Sequence, residues 1–204
     1  MKLNGFDKIA AIYDRLAKLV FGRSIIHSQT YFLNRIPDDA KVLILGGGSG
    51  QLLTELFKIK PGIEVCYIEA SSKMISLSGR RVEEGQRIKF IHGTEDNIPE
   101  GTRFDVIVTA FFLDLFSNES LRGVLMKITK SHATPCLWIV ADFVNQKRWH
   151  ASMLRVMYFF FRITSGVELK RLPEWERLII ESGGRELKSE LFYNRFIKAA
   201  LFQF

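Results

Sequence analysis

The sequence predicts an α/β fold: a seven-stranded, mostly parallel sheet that ends in a C-terminal antiparallel hairpin. Three observations predict it. Five short strand-like runs, at residues 41–45, 63–68, 88–91, 105–108 and 136–140, alternate with segments of helical periodicity. Apolar runs separated by helices are the mark of parallel strands covered on both faces. Two further runs, 187–193 and 196–202, are separated only by Asn194 and Arg195. A parallel return needs a crossover of a dozen or more residues, so this gap makes a hairpin. Finally, the first run stops at five residues rich in glycine, Gly46-Gly47-Gly48-Ser49-Gly50, before a helical pattern resumes.

The elements follow in order. Ile9, Ile12, Tyr13, Leu16, Leu19 and Val20 recur at helical spacing, so a helix is expected over 6–20, with Asn4 before it and Gly22 ending it. A second helix is expected over 24–35, closed by the turn Pro37-Asp38-Asp39. The run KVLIL is a buried strand, and a helix follows from Gln51 to Lys58. Pro61-Gly62 precedes the second strand, which ends at Glu69; residues 72–82 read as helix and 88–91 as the third strand. After the fourth strand, Ser117 or Asn118 caps a helix containing Leu121 to Ile128, and the fifth strand follows.

Composition bounds what such a domain does. At 204 residues, with 47% hydrophobic and 25% charged side chains, the chain is one globular domain rather than a disordered or collagen-like one. The net charge is +7, but no run of five basic residues occurs, so no nucleic-acid partner is expected. A basic surface suits an anionic substrate or a peripheral membrane contact, but extra solubilising lysines are the favoured explanation. Cys66 and Cys136 sit inside apolar strands and read as core thiols. There is no signal-like N-terminus and no apolar stretch of about 18 residues, so no transmembrane segment is expected and the cytoplasm is the default compartment. No cluster has metal-ligand spacing, and no metal is expected. Oligomeric state is not readable.

The glycine turn carries the first chemical signal. A turn between a strand and a helix lets backbone approach a ligand and sets helix N–H groups at its edge. The dinucleotide fingerprint G-x-G-x-x-G needs a glycine where this chain has Gln51, and the Gly-Lys-Ser/Thr of a phosphate-binding loop is missing. Glu69 closes the next strand, 19 residues past Gly50. A carboxylate there accepts the two ribose hydroxyls of an adenosine ligand, and its charge favours a cationic one.

These residues resemble a known family, the class I S-adenosylmethionine-dependent methyltransferases. KVLILGGGSGQLLTEL (41–56) is similar to their first motif, and VCYIEASSKMI (65–75) to their second strand with its acidic end. FIHGTEDNIP (90–99) resembles the loop that flanks adenine, and RFDVIVTAFFLDLF (103–116) the fourth strand. FDKIAAIYDRL (6–16) is similar to the opening of the ubiquinone/menaquinone methyltransferase subgroup. The resemblance implies a Rossmann-like methyltransferase fold, an enzyme, and S-adenosylmethionine as cofactor. It implies cofactor contacts from Tyr13, Gly46, Gly47, Gly48, Gly50, Glu69, Ala70, Met74, Thr94, Glu95 and Ala110. Two positions depart from the family. Ile44 stands where an acid usually helps hold the methionine end, and Thr94 where an aspartate often accepts from adenine.

Methyl transfer from a sulfonium needs position and exclusion of water more than a dedicated acid or base. No catalytic residue is assigned. Asp142, at the end of the fifth strand, is a substrate candidate, and Asp114 reads as a cap or solvated side chain. His92 and His132 read as structural, and His27 lies on an N-terminal helix.

The most distinctive segment is WHASMLRVMYFFFRITSG (149–166), apolar around most of its girth as a helix. Residues 173–182 already supply the helix before the hairpin, so 147–165 is an inserted element. It starts just past the fifth strand, which makes it a candidate lid with Trp149, His150 and Met153 toward substrate. Residues 1–36 are then a helical cap. The expected function is methyl transfer to a small, mostly apolar or aromatic molecule. The rivals are a binding protein of the same fold without turnover, and a nicotinamide-dependent reductase.

Overall fold

The computed structural model describes residues 10–165 and 171–204, with side chains except at 10–15, 161, 164 and 165. The start of the first expected helix (6–9) and Gly166 lie outside the described residues, as does the side chain of Tyr13. The helices are α1 (Ala10–Phe21), α2 (Ser24–Thr30), α3 (Gln51–Ile59), α4 (Ser72–Gly79), α5 (Asn118–Ser131), α6 (Arg148–Ser165) and α7 (Trp175–Glu181). The strands are β1 (Lys41–Leu45), β2 (Glu64–Glu69), β3 (Arg87–His92), β4 (Phe104–Ala110), β5 (His132–Phe143), β6 (Arg185–Phe192) and β7 (Ile197–Gln203).

They form one sheet in the order β3-β2-β1-β4-β5-β7-β6. β1 to β5 pair in parallel, and β7 runs antiparallel between β5 and β6. Alternate residues of each strand feed two cores. Leu43, Leu45, Ile68, Ile107, Trp138 and Phe202 face α5 and α7, whose Leu121, Leu125, Ile128, Trp175 and Leu178 cover them. Val42, Ile44, Tyr67, Val108 and Ile139 face Leu53 and Leu56 of α3 together with Leu33 and Ile36. Each fully buried Leu, Ile or Val contributes about 1.5–3 kcal/mol, which is why these strands tolerate no polar alternation. Cys66 and Cys136 are buried free thiols of this interior.

The helix expected over 72–82 ends at Gly79, and two boundaries differ from the periodicity by more. The expected helix over 24–35 is broken: α2 ends at Thr30, and a 3₁₀ turn covers Leu33–Arg35. Pro37 forces Ile36 into extended backbone (φ −65°, ψ 128°), and the tighter turn lets Leu33 and Ile36 both reach the core. β5 extends from 132 to 143 rather than over 136–140, because its far end pairs with β7 from Leu137↔Gln203 to Phe143↔Ile197. Local signals hold elsewhere. Ser117, of the two candidates, caps α5 by accepting from Ser120 N at 3.2 Å. Asn118 instead accepts from Glu174 N at 2.8 Å and ties α5 to the start of α7.

β1 lies between β2 and β4, so the chain leaves β1 and β4 toward opposite sides. That leaves a crevice beyond the carboxyl ends of these two strands, where ligands sit in open parallel sheets.

Candidate functional site

A cavity of about 490 Å³ fills this crevice. Its size is within the range of small-molecule sites. Three groups of residues wall it: the exits of β1 and β2 with the Gly93–Glu95 loop past β3, the exit of β4, and the helices α1, α2 and α6.

The first wall is backbone held by side chains. Glu69 is 7% exposed, and its carboxylate accepts from Gly48 N (3.0 Å) and Ser71 N (2.8 Å). The Tyr67 hydroxyl donates to Gly48 O at 2.8 Å, and Arg81 Nε donates to Ser49 O at 2.9 Å. Glycine is required here at two positions for different reasons. A Cβ at Gly47 would sit 2.2 Å from the Tyr67 ring, and Gly50 has φ +78° with Ser78 Cβ 2.5 Å from where its own Cβ would be. Gly50 leads into α3 with no side-chain cap, so the helix N-terminus opens toward the cavity through Gln51 and Leu52.

Of the residues expected to contact a cofactor, Gly46, Gly47, Gly48, Glu69, Ala70, Met74, Thr94, Glu95 and Ala110 line this one cavity. Gly50 stands behind it and shapes the turn. Thr94 caps the 3₁₀ turn Glu95–Asn97 and accepts from Asp96 N at 3.3 Å. Glu95 forms an ion pair with Lys127 at 3.5 Å. Ile44 is 1% exposed and reaches the cavity wall while packing in the second core.

The opposite wall is apolar. Val20, Phe21 and Ile25 of the first two helices line it, with Phe111, Phe143, and Met153, Val156, Met157 and Phe160 of α6. Phe21 packs on Phe143 at 5.6 Å and on Tyr193 at 5.1 Å, which joins the cap to β5 and the hairpin. The outer face of α6 leaves Phe159 (66%) and Ile163 (68%) exposed. No helix of the described residues is long and apolar enough to cross a membrane.

Three of the four substrate candidates are placed differently from expectation. Asp142 is fully buried behind the wall, because the β4 exit needs its carboxylate. Oδ2 accepts from Leu113 N (2.9 Å) and Asp114 N (3.3 Å), and Oδ1 from Phe143 N (2.8 Å). His150 is also buried. Its Nδ1 accepts from Gln146 N (3.0 Å) and Lys147 N (3.3 Å), so it fastens the start of α6 as a neutral ring, and burial lowers its pKa. Trp149 turns to Phe196 (5.4 Å) and His150 (4.4 Å) rather than to the cavity. One helical turn on, Met153 does line it. Periodicity gave all sides of this helix an apolar character and so did not say which side met the cavity.

Asp114 corrects the reading in the other direction. It is 4% exposed, not solvated, it lines the cavity, and its Oδ1 has no hydrogen-bond partner. Burial pushes its carboxyl up to about 7. Asp142 is raised as well, by burial and then by the charge of Asp114. Beside them the buried Tyr158 hydroxyl also lacks a partner; its pKa is raised by burial and then by the two carboxylates. Phe21 carried no signal in sequence beyond being apolar, and Phe111 and Asp114 lay in the 103–116 run without being marked as cavity residues. His92 is structural, bonding Ala70 O at 3.0 Å, and His132 lies against Phe204, at the chain terminus. Among the described residues, no group of three or more His, Cys, Asp or Glu is arranged to hold a metal.

A seven-stranded sheet in this order, with a glycine loop and an acidic β2 end facing one cavity, is the Rossmann-like methyltransferase fold. Residues 42–133 match the family model described as methyltransferase domain, in accord with the resemblance read from the motifs. The chain is 32% identical over 121 residues to demethylmenaquinone methyltransferase of Thermotoga maritima, over 55% of this chain and 49% of that protein. It thus spans about half the length of that relative. Among solved structures, it is similar to the 1,6-didemethyltoxoflavin-N1-methyltransferase of Burkholderia thailandensis with bound 1,6-didemethyltoxoflavin and S-adenosylhomocysteine. That match has a TM-score of 0.70 at 12% identity and covers 98% of this chain and 86% of that one. It is also similar to mitomycin 7-O-methyltransferase, with a TM-score of 0.68 at 18% identity over 97% of this chain and 60% of that one.

Proposed function

We propose that this protein binds S-adenosylmethionine and transfers its methyl group to a small, mostly apolar or aromatic molecule. The observation that carries the reading is the Glu69 carboxylate, held at the cavity wall by Gly48 N and Ser71 N. An ionised carboxylate has about four lone-pair sites on its two oxygens, and it can accept a pair of ribose hydroxyls. The residues present fit an adenosyl sulfonium. Ala70, Met74 and Leu115 offer apolar surface to a base, Glu69 takes the ribose, and the Gly46–Ser49 turn admits backbone contact where a side chain would clash. Ile44 offers no charge to the amino-acid end. Its carboxylate is then left to backbone N–H groups of the turn and to Lys18 and Arg23, which also line the cavity.

When bound, the sulfonium supplies an activated methyl group. The protein's own part is position and dryness: α1, α2 and α6 close over the crevice, and their apolar side chains exclude water from the reacting centre. In this reading α6 is the lid and Met153, Met157 and Phe160 face the substrate. An aromatic substrate agrees with these walls, and with the quinone in the name of the Thermotoga relative. The reductase alternative is disfavoured because Gln51 opens α3 where a dinucleotide loop needs its third glycine.

Isothermal calorimetry of the purified protein tests this. S-Adenosylmethionine and S-adenosylhomocysteine are expected to bind, and NAD to bind at least tenfold more weakly. Equal or tighter binding of NAD refutes it.

A further inference from the structure

The cavity is apolar around its substrate side except at one point. There Asp114 lines the wall, and the buried carboxyl of Asp142 and phenol of Tyr158 lie near it, behind the lining. Asp114 comes from the β4 exit, Asp142 from β5 and Tyr158 from α6. Burying a carboxyl costs several kcal/mol unless donors surround it. Asp142 has its donors in three backbone N–H groups. Asp114 does not: its Oδ1 is buried and unpartnered, and the residue lines the cavity. The Tyr158 hydroxyl is unpartnered too. Side chains in this state store strain, hold an ordered water or meet a ligand with a donor, and a carboxyl on a ligand-sized cavity is placed for the last. The other charged groups of the cavity, Glu69, Glu95, Lys18 and Arg23, belong to the cofactor wall and the cap helices.

We propose that Asp114 is the catalytic residue that accepts a hydrogen bond from an aromatic hydroxyl of the substrate and takes its proton as the methyl group is transferred. This rests on the methyl-transfer reading. Asp142 acts through Asp114 as a positioning residue, since it holds Leu113 N and Asp114 N and so fixes the β4 exit. The step balances. A lone pair of the hydroxyl oxygen forms the bond to the methyl carbon, and the carbon–sulfur bond breaks with its pair returning to sulfur. The hydroxyl proton passes to Asp114. A sulfonium and a carboxylate become a neutral thioether and a neutral carboxylic acid, and the proton leaves to water when the cavity opens. Net charge within the apolar cavity is conserved, and both starting charges are removed. A carboxyl that holds its proton up to about 7 is a better acceptor from a phenol, whose own value is about 10, than an ordinary aspartate near 3.9. The surrounding Phe111, Met153, Met157 and Phe160 suit the ring that carries the hydroxyl.

The test uses 1-naphthol and its methyl ether, 1-methoxynaphthalene, as probes. Calorimetry is run at pH 8 on protein saturated with S-adenosylhomocysteine. The unaltered protein is expected to prefer naphthol to the ether by tenfold or more, the scale of a hydrogen bond to a charged group. Asp114→Ala is expected to bind both probes equally, and Asp114→Asn, which keeps the shape, to lose most of the preference. Both variants are expected to keep their affinity for S-adenosylhomocysteine. Failure of naphthol to bind, an absent preference in the unaltered protein, or a preference that survives in Asp114→Ala overturns the assignment. Failure of S-adenosylhomocysteine to bind overturns the cofactor reading instead, and the two probes compared without it still judge Asp114.

Discussion

The two walls of the cavity are built by different physics. Around Gly46–Ser49 the wall is main chain, pinned by Glu69, Tyr67 and Arg81 through hydrogen bonds of 2.8–3.0 Å. Across from it the wall is side chain. Phe21, Phe111, Phe143 and Phe196 stack at 4.9–6.2 Å, and α1 and α6 close over them. A wall of hydrogen-bonded backbone has one geometry and suits a ligand that never changes. A wall of packed side chains is cheaper to reshape, so it suits the ligand that differs between enzymes of one fold. The difference also locates strain. Buried polar atoms of the first wall are paired, whereas Asp114 Oδ1 in the second, and the Tyr158 hydroxyl and His150 Nε2 buried outside the lining, are not.

The contrast breaks most sharply at Gly47. A methyl group there meets the Tyr67 ring at 2.2 Å, so the turn or the ring has to move. Gly47→Ala is expected to lower affinity for S-adenosylhomocysteine by more than about 100-fold, the scale of a lost charge-assisted bond or more. A circular-dichroism melt checks that the sheet survives; calorimetric affinity like that of the unaltered protein contradicts a rigid first wall.

A smaller effect is expected at Glu69. Removing its carboxylate takes about 1.5–3 kcal/mol from cofactor binding, roughly 10- to 150-fold in affinity. If Glu69→Ala folds and its dissociation constant is unchanged, the ribose lies elsewhere.

The second wall is sharpened by pH. Asp114 holds its proton up to about 7 in the folded chain, against about 3.9 for an unperturbed aspartate. Between those values the folded state binds more protons than the unfolded state, so stability is full below about pH 4 and declines as pH rises through 7. Asp114→Asn has no such charge to bury. Its melting temperature relative to the unaltered protein is therefore expected to rise from pH 5 to pH 8, by roughly 1–3 kcal/mol or several degrees. A difference that stays flat over this range means that Asp114 is ionised without penalty.

The first wall was legible in the sequence because it is contiguous. The glycine turn follows β1 directly, and Glu69 closes the very next strand, so a short stretch of chain holds both. The second wall was legible only as composition. Residues 149–166 announced an apolar helix, but its girth hid which side met the cavity, and Trp149 and His150 turned out to pack on Phe196. Asp142 stood at the right strand end for a ligand contact, yet two backbone N–H groups of the turn after β4 and one of β5 itself take its oxygens. Asp114 lay inside the 103–116 run, but nothing local told its carboxyl from a cap or a solvated side chain.

By itself, the sequence determined the alternation of parallel strands and helices, the hairpin, the turn and the acid that follows it. Each depends on interactions between neighbours in the chain or on a connection too short for any alternative. The tertiary structure alone decided that Phe21, Phe111, Asp114 and Met153 share one cavity. They lie on three segments, α1, the β4 exit and α6, each more than 30 residues from the next, and burial at such a junction depends on the sum of packing from all of them. A carboxyl reads the same in a sequence whether it ends in water or, as at Asp114, in an apolar wall that leaves one oxygen unpaired.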